Sequence, residues 1–194
     1  MAILVALALA CAGQSAATDS RPSASARFMV LQLRDAPAGM RVIESSDTTK
    51  PLRNRYGWPL DAFSREIVSA HQVTYQRFGA STGLFRITSD ARFFQSQEGA
   101  AGYFREFGAP VSHPTAKRLN LEPVGDSFRA WRVYGASLSS DSGEYESVAV
   151  LEARFRVGRT FGYVQTVWRG RGQPRPETLQ RLAALQAVQI RRVT

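Results

Sequence analysis

The chain has few histidines, a single cysteine and almost no lysine, and each shortage excludes a class of chemistry. Its 194 residues contain two histidines, His71 and His113, and one cysteine, Cys11. Two histidines are too few for a multi-histidine zinc centre within one chain. A lone cysteine forms neither an internal disulfide nor a thiolate zinc site, and the region after Cys11 offers no thiol nucleophile. We therefore expect no bound metal and no cofactor.

Local catalytic motifs are also missing. No G-x-S-x-G elbow joins a predicted strand to a predicted helix, and the sequence has no H-E-x-x-H, phosphate-binding G-x-x-x-x-G-K or G-x-G-x-x-G motif. No Ser–Asp pattern stands near His71 or His113, so we expect no catalytic triad. The sequence thus predicts a domain without catalytic activity. The alternative is an enzyme whose site is assembled from scattered residues.

The N-terminus contains an apolar run that ends at the cysteine. Residues 2–10 are all apolar, and Ala8-Leu9-Ala10 directly precedes Cys11. This arrangement resembles a bacterial lipobox, whose cysteine is diacylated and becomes the mature N-terminus. The run is far shorter than the ~20 residues that span a bilayer. Two alternatives are cleavage by ordinary signal peptidase at the A-x-A site and a buried first element of a cytoplasmic domain. No basic residue precedes the run, which suggests that the natural start lies upstream of Met1.

Composition divides the chain into three parts. Residues 1–11 are the lipoprotein-type signal segment. Residues 12–27 are rich in Ser, Ala and Thr without apolar periodicity, which predicts a flexible linker. Residues 28–194 are long enough for one domain with a sizeable core.

The charge is strongly positive and comes almost entirely from arginine. The net charge is +9, and Lys50 and Lys117 are the only lysines. Such a balance attracts anionic lipid, acidic polymers or nucleic acid, although the basic residues are spread along the chain, as codon bias in a GC-rich genome produces. The densest cluster gives our candidate ligand or anion contact, with a solvated loop as the alternative: Trp168, Arg169, Arg171 and Arg175.

Hydrophobic periodicity predicts an α+β fold with an antiparallel, meander-like sheet and two to three packed helices. In residues 148–157, Leu151 and Phe155 alternate with Glu152 and Arg154, which indicates a sheet with one face in water. The predicted strands are 28–34, 71–78, 84–89, 128–134, 148–157 and 161–168, with a further extended segment at 40–46. The predicted helices are one from Asp61 that includes Phe63, Ile67 and Val68, one at 96–107 and one at 177–191.

Two polar segments connect these elements. Val124-Gly125-Asp126 predicts a turn in which the Asp126 carboxylate accepts hydrogen bonds from the residues that follow it. The alternative for Asp126 is a catalytic or metal-binding carboxylate. Residues 137–146 predict a polar hairpin loop whose Asp141, Glu144 and Glu146 are solvated. The alternative for this acidic loop is a calcium site.

Four short segments resemble uncharacterised bacterial envelope lipoproteins. These are Leu33-Arg-Asp-Ala-Pro-Ala-Gly39, Tyr75-Gln-Arg-Phe78, Pro123-Val-Gly-Asp126 and Phe155-Arg-Val-Gly-Arg159. Such proteins have an L-P-x-G opening, a V-G-D before a strand and an F-R-x-G hairpin; here Ala36 replaces the usual leucine of the opening motif. Some resemble the PsbP-like α/β/α sandwich, so the resemblance implies that fold. It implies an accessory or binding role and brings no catalytic residues.

These observations favour a lipid-anchored accessory or ligand-binding domain of the cell envelope, held at the membrane outside the cytoplasm by lipidated Cys11. Its partner would be an envelope protein or a small ligand, and we expect a monomer. One alternative is an exported carrier of an apolar ligand or lipid, bound between sheet and helices. The other is a cytoplasmic basic protein that binds nucleic acid, which we disfavour because of the N-terminal segment.

Overall fold

The computed structural model describes residues 25–48, 65–79, 81–108, 116–139, 145–170 and 173–194. Two short 3-10 helices come first, η1 (Ala26–Phe28) and η2 (Leu33–Asp35). The α-helices of the described part are α1 (Gln97–Phe107) and α2 (Pro176–Val193). Its strands are β1 (Met40–Asp47), β2 (Ile67–Arg77), β3 (Gly83–Phe94), β4 (Lys117–Leu119), β5 (Ser127–Ser139), β6 (Tyr145–Val157) and β7 (Thr160–Arg169).

The strands form one antiparallel sheet in the order β1-β2-β3-β7-β6-β5-β4. Two series of neighbouring strands, β1-β2-β3 and β4-β5-β6-β7, meet where β7 pairs with β3. The last strand of the chain therefore lies at the centre of the sheet. This architecture confirms the predicted α+β class with an antiparallel sheet and packed helices.

One face of the sheet carries the main core, as the alternation in β6 predicts. Leu151, Ala153 and Phe155 lie on this face and are completely buried. Helix α2 covers the face because its apolar stripe follows the helical repeat. The stripe residues are Leu179, Leu182, Ala183, Ala187 and Ile190, each at most 1% exposed.

The opposite face was expected to be in water, and this prediction is wrong for its centre. Glu152 on β6 is only 5% exposed. Helix α1 packs on this face through Tyr103 and Phe104, which contact Phe161 of β7. Its N-terminus is capped by Ser96, whose hydroxyl accepts a hydrogen bond from the Gly99 amide at 2.9 Å. The described elements are thus arranged as helix, sheet and helix.

The predicted first strand, residues 28–34, is wrong. The segment forms η1 and η2, and the three consecutive residues Met29, Val30 and Leu31 are all buried. Side chains from the sheet, and not a neighbouring strand, form hydrogen bonds with the backbone of this segment. The Leu31 amide donates to Ser89 Oγ at 3.1 Å, and the Tyr75 hydroxyl donates to the Leu31 carbonyl at 2.7 Å.

Two further boundaries differ from prediction, and one is confirmed. Ile67 and Val68 belong to β2 and not to a helix, because β2 continues its ladder to the pair Ile67–Phe94; Asp61 and Phe63 lie outside the described residues. The predicted loop 137–146 is shorter, since the β5–β6 ladder extends to the pair Ser139–Tyr145. The strands continue to pair through this polar segment, whose sequence has no apolar alternation to indicate a strand. The extended segment 40–46 is confirmed as β1.

Candidate functional site

Three arginines from distant parts of the chain meet at the N-terminal end of α2. They line a cleft of about 420 Å³. Arg77 ends β2, Arg175 directly precedes α2, and Arg181 lies in the second turn of that helix. The other lining residues are Pro37, Gly83, Leu84, Trp168, Gln173 and Thr178. We call this the arginine cleft.

The wall of the cleft is apolar and held in place by the sheet. Leu84 and Trp168 face each other across the β3–β7 pairing, and they are 7% and 6% exposed. The indole nitrogen of Trp168 donates a hydrogen bond to Thr166 Oγ1 at 3.1 Å. This bond satisfies the polar group of Trp168 and fixes the ring, so the cleft has a rigid aromatic side.

The charge of the cleft favours an anion. No aspartate or glutamate is among the described residues that line it, and the N-terminus of a helix adds partial positive charge. Arg77 donates from Nη2 to the Ala38 carbonyl at 2.8 Å, while its buried Nε has no hydrogen-bond partner among the described atoms. A planar guanidinium suits the paired oxygens of a carboxylate or phosphate. The arrangement can therefore bind such a group, and its aromatic side can contact an apolar part of the same molecule.

The structure brings together two of the four residues predicted to contact a ligand. Trp168 and Arg175 line the arginine cleft. Arg169 does not, because neighbouring residues of a strand point to opposite faces, and its guanidinium lies 3.6 Å from the centre of the Phe85 ring. Arg171 and Cys11 lie outside the described residues.

Sequence reasoning missed the other two arginines of the cleft. Arg77 is almost a hundred residues from Arg175 in the chain, and only the antiparallel order of β2, β3 and β7 places its strand end beside α2. Arg181 lies on the exposed side of its helix, and the sequence analysis assigned it no role. The local signal available was its position one turn after a proline at N1, which marks a helix N-terminus.

A second group of polar residues lies at the β1 edge of the sheet. His71 Nδ1 is 2.8 Å from Asp47 Oδ1, and His71 Nε2 is 3.0 Å from Ser45 Oγ. The three residues share one face because His71 pairs with Asp47 in the β1–β2 register. This corrects the expectation that no Ser–Asp pattern stands near a histidine. The atom order is that of a serine nucleophile, base and orienting acid, although the Asp47 side chain is 79% exposed.

The other serine motif adds no site to the described structure. His113 lies outside the described residues. The letters G-x-S-x-G do occur at residues 79–83, but this segment connects β2 to β3. A nucleophile elbow requires a strand-to-helix turn, so Ser81 does not occupy one.

A buried ionic network lies under α1. Arg92 bonds Asp90 at 3.0 Å, and Arg154 bonds Glu152 at 2.9 Å. Arg154 also donates to the carbonyl of Phe107, the last residue of α1, at 2.6 Å. Cationic donors are favourable at a helix C-terminus, so this network holds α1 on the sheet.

The network also affects a tyrosine. The Tyr163 hydroxyl donates to Glu152 at 3.1 Å. Burial, and next the charge of Glu152, raise the pKa of Tyr163 well above its ordinary value. This phenol therefore stays protonated and serves as a donor to the carboxylate. We assign the network a structural role, because each carboxylate already has a bound guanidinium.

The predicted carboxylate turn is partly correct. Gly125 adopts a positive φ of 73°, which favours glycine. Asp126, however, accepts its hydrogen bond from the Gly158 amide at 2.8 Å and lies 3.2 Å from Arg156. The expectation that it bonds the residues directly after it is wrong, since the carboxylate caps the β6–β7 turn. Asp141 and Glu144 lie outside the described residues, and Glu146 belongs to β6.

Among the described residues, no three or more His, Cys, Asp or Glu side chains are grouped so that they could hold a metal ion. No helix in the described part combines the length and apolar character needed to cross a membrane. No protein-family model and no curated protein sequence gives a significant match to the chain.

Proposed function

We propose that this protein is a lipid-anchored ligand-binding domain of the bacterial cell envelope, and that it binds a small organic anion in the arginine cleft. The observation that supports this proposal is the convergence of Arg77, Arg175 and Arg181 beside the rigid ring of Trp168. The ligand would carry a carboxylate or phosphate and an apolar portion. The PsbP-like sandwich is the finer fold assignment within this proposal, and helices on both faces of an antiparallel sheet are consistent with it.

The N-terminal sequence supports the proposed location. Ala8-Leu9-Ala10 before Cys11 supports lipidation, and the Ser- and Ala-rich segment 12–27 supports a tether between the lipid and the domain. Intact mass measurement of the N-terminal peptide from natively expressed protein tests this part. A diacylglyceryl adduct on Cys11 is expected, whereas an unmodified chain that retains residues 1–10 would refute the anchor.

The two binding alternatives fit the described structure less well. An apolar carrier needs space between sheet and helix, yet Leu182 and Ile190 of α2 are completely buried against the sheet. A nucleic-acid-binding protein would spread its phosphate contacts over a long basic surface, whereas these three arginines converge on one open cleft of about 420 Å³. A compact anion matches that volume better than a polymer does.

Direct titration of the full chain tests the ligand class. We would use phenyl phosphate and benzoate as anionic probes and benzyl alcohol as the neutral probe, with isothermal calorimetry as the readout. Arg77→Gln and Arg181→Gln are each expected to weaken anion binding about tenfold, because each removes a charge-assisted hydrogen bond. Benzyl alcohol is expected to bind much more weakly than either anion.

The matched control is Arg105→Gln, which removes the same charge from an exposed position on α1, the helix on the opposite face of the sheet from α2. Arg105→Gln is expected to leave the affinity within about twofold, since exposed charges are screened. Equal losses in all three variants would show that net charge and not the cleft binds the anion. Equal binding of benzyl alcohol would show that the arginines do not define the ligand.

The hydrogen-bonded chain Ser45–His71–Asp47 favours a second candidate function, a serine nucleophile. Ser45 is exposed, His71 is buried, and the Ser45 hydroxyl is 3.0 Å from His71 Nε2. In such an arrangement Oγ attacks an ester carbonyl, and its proton passes to Nε2. That proton then leaves with the alkoxide as an alcohol, and water releases the acyl group in a second step.

A fluorophosphonate tests this second candidate. Reaction forms a bond from Ser45 Oγ to phosphorus and breaks the P–F bond, while the hydroxyl proton passes to His71 and fluoride leaves. We expect peptide mass spectrometry to find the adduct on Ser45, and His71→Gln to suppress it. Ser46, the next residue on β1, is the internal control because it points to the other face. Labelling of Ser45 no faster than Ser46 would refute the candidate.

A further inference from the structure

The described surface has an apolar region at the C-terminal end of α2. Phe28 of η1 is 63% exposed, and Leu33 of η2 is 52% exposed. Phe28 lines a groove of about 270 Å³ together with Gln32, Arg34, Gln189, Arg192 and Val193. Single exposed apolar residues are common, but here two large ones occur within six residues beside a groove. We call the set Arg27, Phe28, Leu33, Arg34 and Arg192 the basic apolar patch.

The charge around these side chains is positive. Arg27, Arg34 and Arg192 are all exposed. The one nearby acid in the two segments that form the patch is Asp35. Its carboxylate accepts hydrogen bonds from the Gln32 amide at 2.7 Å and from the Gln189 side chain, so two uncharged donors fix it between η2 and α2. The patch thus combines apolar side chains with unbalanced positive charge.

The patch also lies where the polypeptide arrives from its N-terminus. The first described residue is Ser25, three residues before Phe28. The proposed lipid at Cys11 would be joined to this corner of the domain by residues 12–24. Such a tether would keep the domain close to the bilayer and give its surface a high effective concentration there. Even a weak contact with the bilayer would then form for much of the time.

We infer that the basic apolar patch is the surface with which this domain contacts a bilayer that contains anionic lipid. Phe28 and Leu33 enter the headgroup region, as aromatic and aliphatic side chains do in interfacial proteins. The arginines pair with lipid phosphates, and each basic residue near an anionic surface strengthens binding about fivefold. This inference rests on the proposed lipid anchor but not on the ligand of the arginine cleft.

This contact would orient the domain. Helix α2 has 18 residues and is therefore ~27 Å long. The patch is at its C-terminal end and the arginine cleft at its N-terminal end. A domain seated on its patch presents the cleft away from the bilayer. The ligand of the cleft is then a soluble anion and not a membrane lipid.

The two most exposed phenylalanines of the described residues provide a matched test. Phe28 is in the patch, and Phe78, which is 59% exposed, follows β2 at the opposite end of the sheet. Phe28→Cys and Phe78→Cys are made in the full lipidated chain, in which the lipid blocks the thiol of the only other cysteine. Each new thiol is labelled with NBD. Vesicles of phosphatidylcholine, with or without phosphatidylglycerol, carry a doxyl-labelled lipid as quencher.

We expect quenching of NBD at position 28 and not at position 78, and only in vesicles with phosphatidylglycerol. Adding Arg34→Gln and Arg192→Gln to the Phe28→Cys protein should reduce contact about 25-fold, from about fivefold per arginine. Adding Arg105→Gln, an exposed arginine on α1 at the opposite face of the sheet from α2, should not change it. Equal quenching at both positions, or quenching at position 28 without anionic lipid, would overturn the inference.

Failure of the anchor is recognised separately. If mass spectrometry shows that Cys11 carries no lipid, Phe28→Cys and Phe78→Cys are made instead in Cys11→Ser protein, in which the introduced cysteine is the only thiol. The same comparison of positions 28 and 78 is then made with added vesicles. Selective quenching at position 28 would support contact between the patch and the bilayer even without the lipid anchor. If position 28 is not selectively quenched, that contact is refuted.

Discussion

Replacing Gln186 should destabilise the fold more than its single polar side chain suggests. Gln186 lies on α2 and is completely buried. Its Nε2 donates to the Asp90 carbonyl at 2.8 Å, and its Oε1 accepts from Ser89 Oγ at 3.0 Å. Ser89 Oγ in turn accepts from the Leu31 amide at 3.1 Å. One amide therefore joins the helix, β3 and the N-terminal segment.

The change Gln186→Leu keeps the side chain's approximate volume and removes both hydrogen bonds. Each bond contributes about 1 kcal/mol, and the Ser89 hydroxyl left without its acceptor costs a further 1–2 kcal/mol or so. Leucine recovers part of this loss by burying apolar surface. We therefore expect the free energy of unfolding to fall by about 2–3 kcal/mol. For a chain of this size the melting temperature falls by roughly 4–12 °C.

Urea unfolding of the full chain measures this loss, provided that the slope with urea is unchanged. Gln180→Leu is the matched control on the same helix, because the Gln180 side chain bonds the Glu122 carbonyl at an exposed position. It should change stability by less than about 0.5 kcal/mol. A loss below about 1 kcal/mol for Gln186→Leu, or equal losses in the two variants, would refute the reasoning.

Three other changes test the packing and the buried charges. Gly162→Ala places Cβ 2.5 Å from the Phe155 ring, so overpacking should cost about 1–3 kcal/mol in urea unfolding; unchanged stability would contradict the contact. Arg154→Met leaves Glu152 without its guanidinium and should cost about 3 kcal/mol, most of it regained when Glu152→Leu is added; no recovery would argue against pairing. Burial, and next the charge of Asp35, raise the pKa of Tyr75 to about 12. Its contribution to stability should therefore be complete below pH ~10, the ordinary tyrosine pKa, and lost as the pH rises toward about 12. Urea unfolding at several pH values should show that the free energy of unfolding falls less with rising pH in Tyr75→Phe than in the unchanged protein. An identical fall in both proteins would contradict the raised pKa.

Much of the fold could be predicted because its signals are local. The alternation of Leu151 and Phe155 with Glu152 gives the direction of every side chain in β6. The turn at Gly158 then defines the hairpin, and the apolar stripe of α2 identifies its buried face. These patterns depend on residues that are close in sequence, and the structure confirms them.

The N-terminal segment could not be predicted in the same way. A run such as Met29-Val30-Leu31 is equally compatible with a buried strand. Its actual conformation depends on Ser89 and Tyr75, which bond its backbone from β3 and β2. Nothing in the run itself indicates that these partners exist.

The candidate sites were difficult to predict for a related reason. Trp168 and Arg175 are close in sequence, and both were predicted as contacts. Arg77 enters the same cleft only because β7 pairs with β3 and β3 with β2. The contact between Ser45 and His71 likewise depends on the β1–β2 register. Sites built across strands need the strand order, which periodicity alone does not contain.

The central position of β7 affects the order in which the chain can fold. β7 pairs Gly162 with Ala91 of β3, and α2 follows it. While the chain is being made, β1-β2-β3 and β4-β5-β6 each end in an unpaired strand and have no α2 to cover their apolar face. Such long-range pairing forms late and slowly.

A polypeptide that cannot complete its sheet until its C-terminal quarter is available stays incompletely folded through most of its synthesis. Protein-conducting channels accept chains in that state. The topology therefore suits the proposed export, because the domain would close only after its last strand and helix have followed the rest across the membrane.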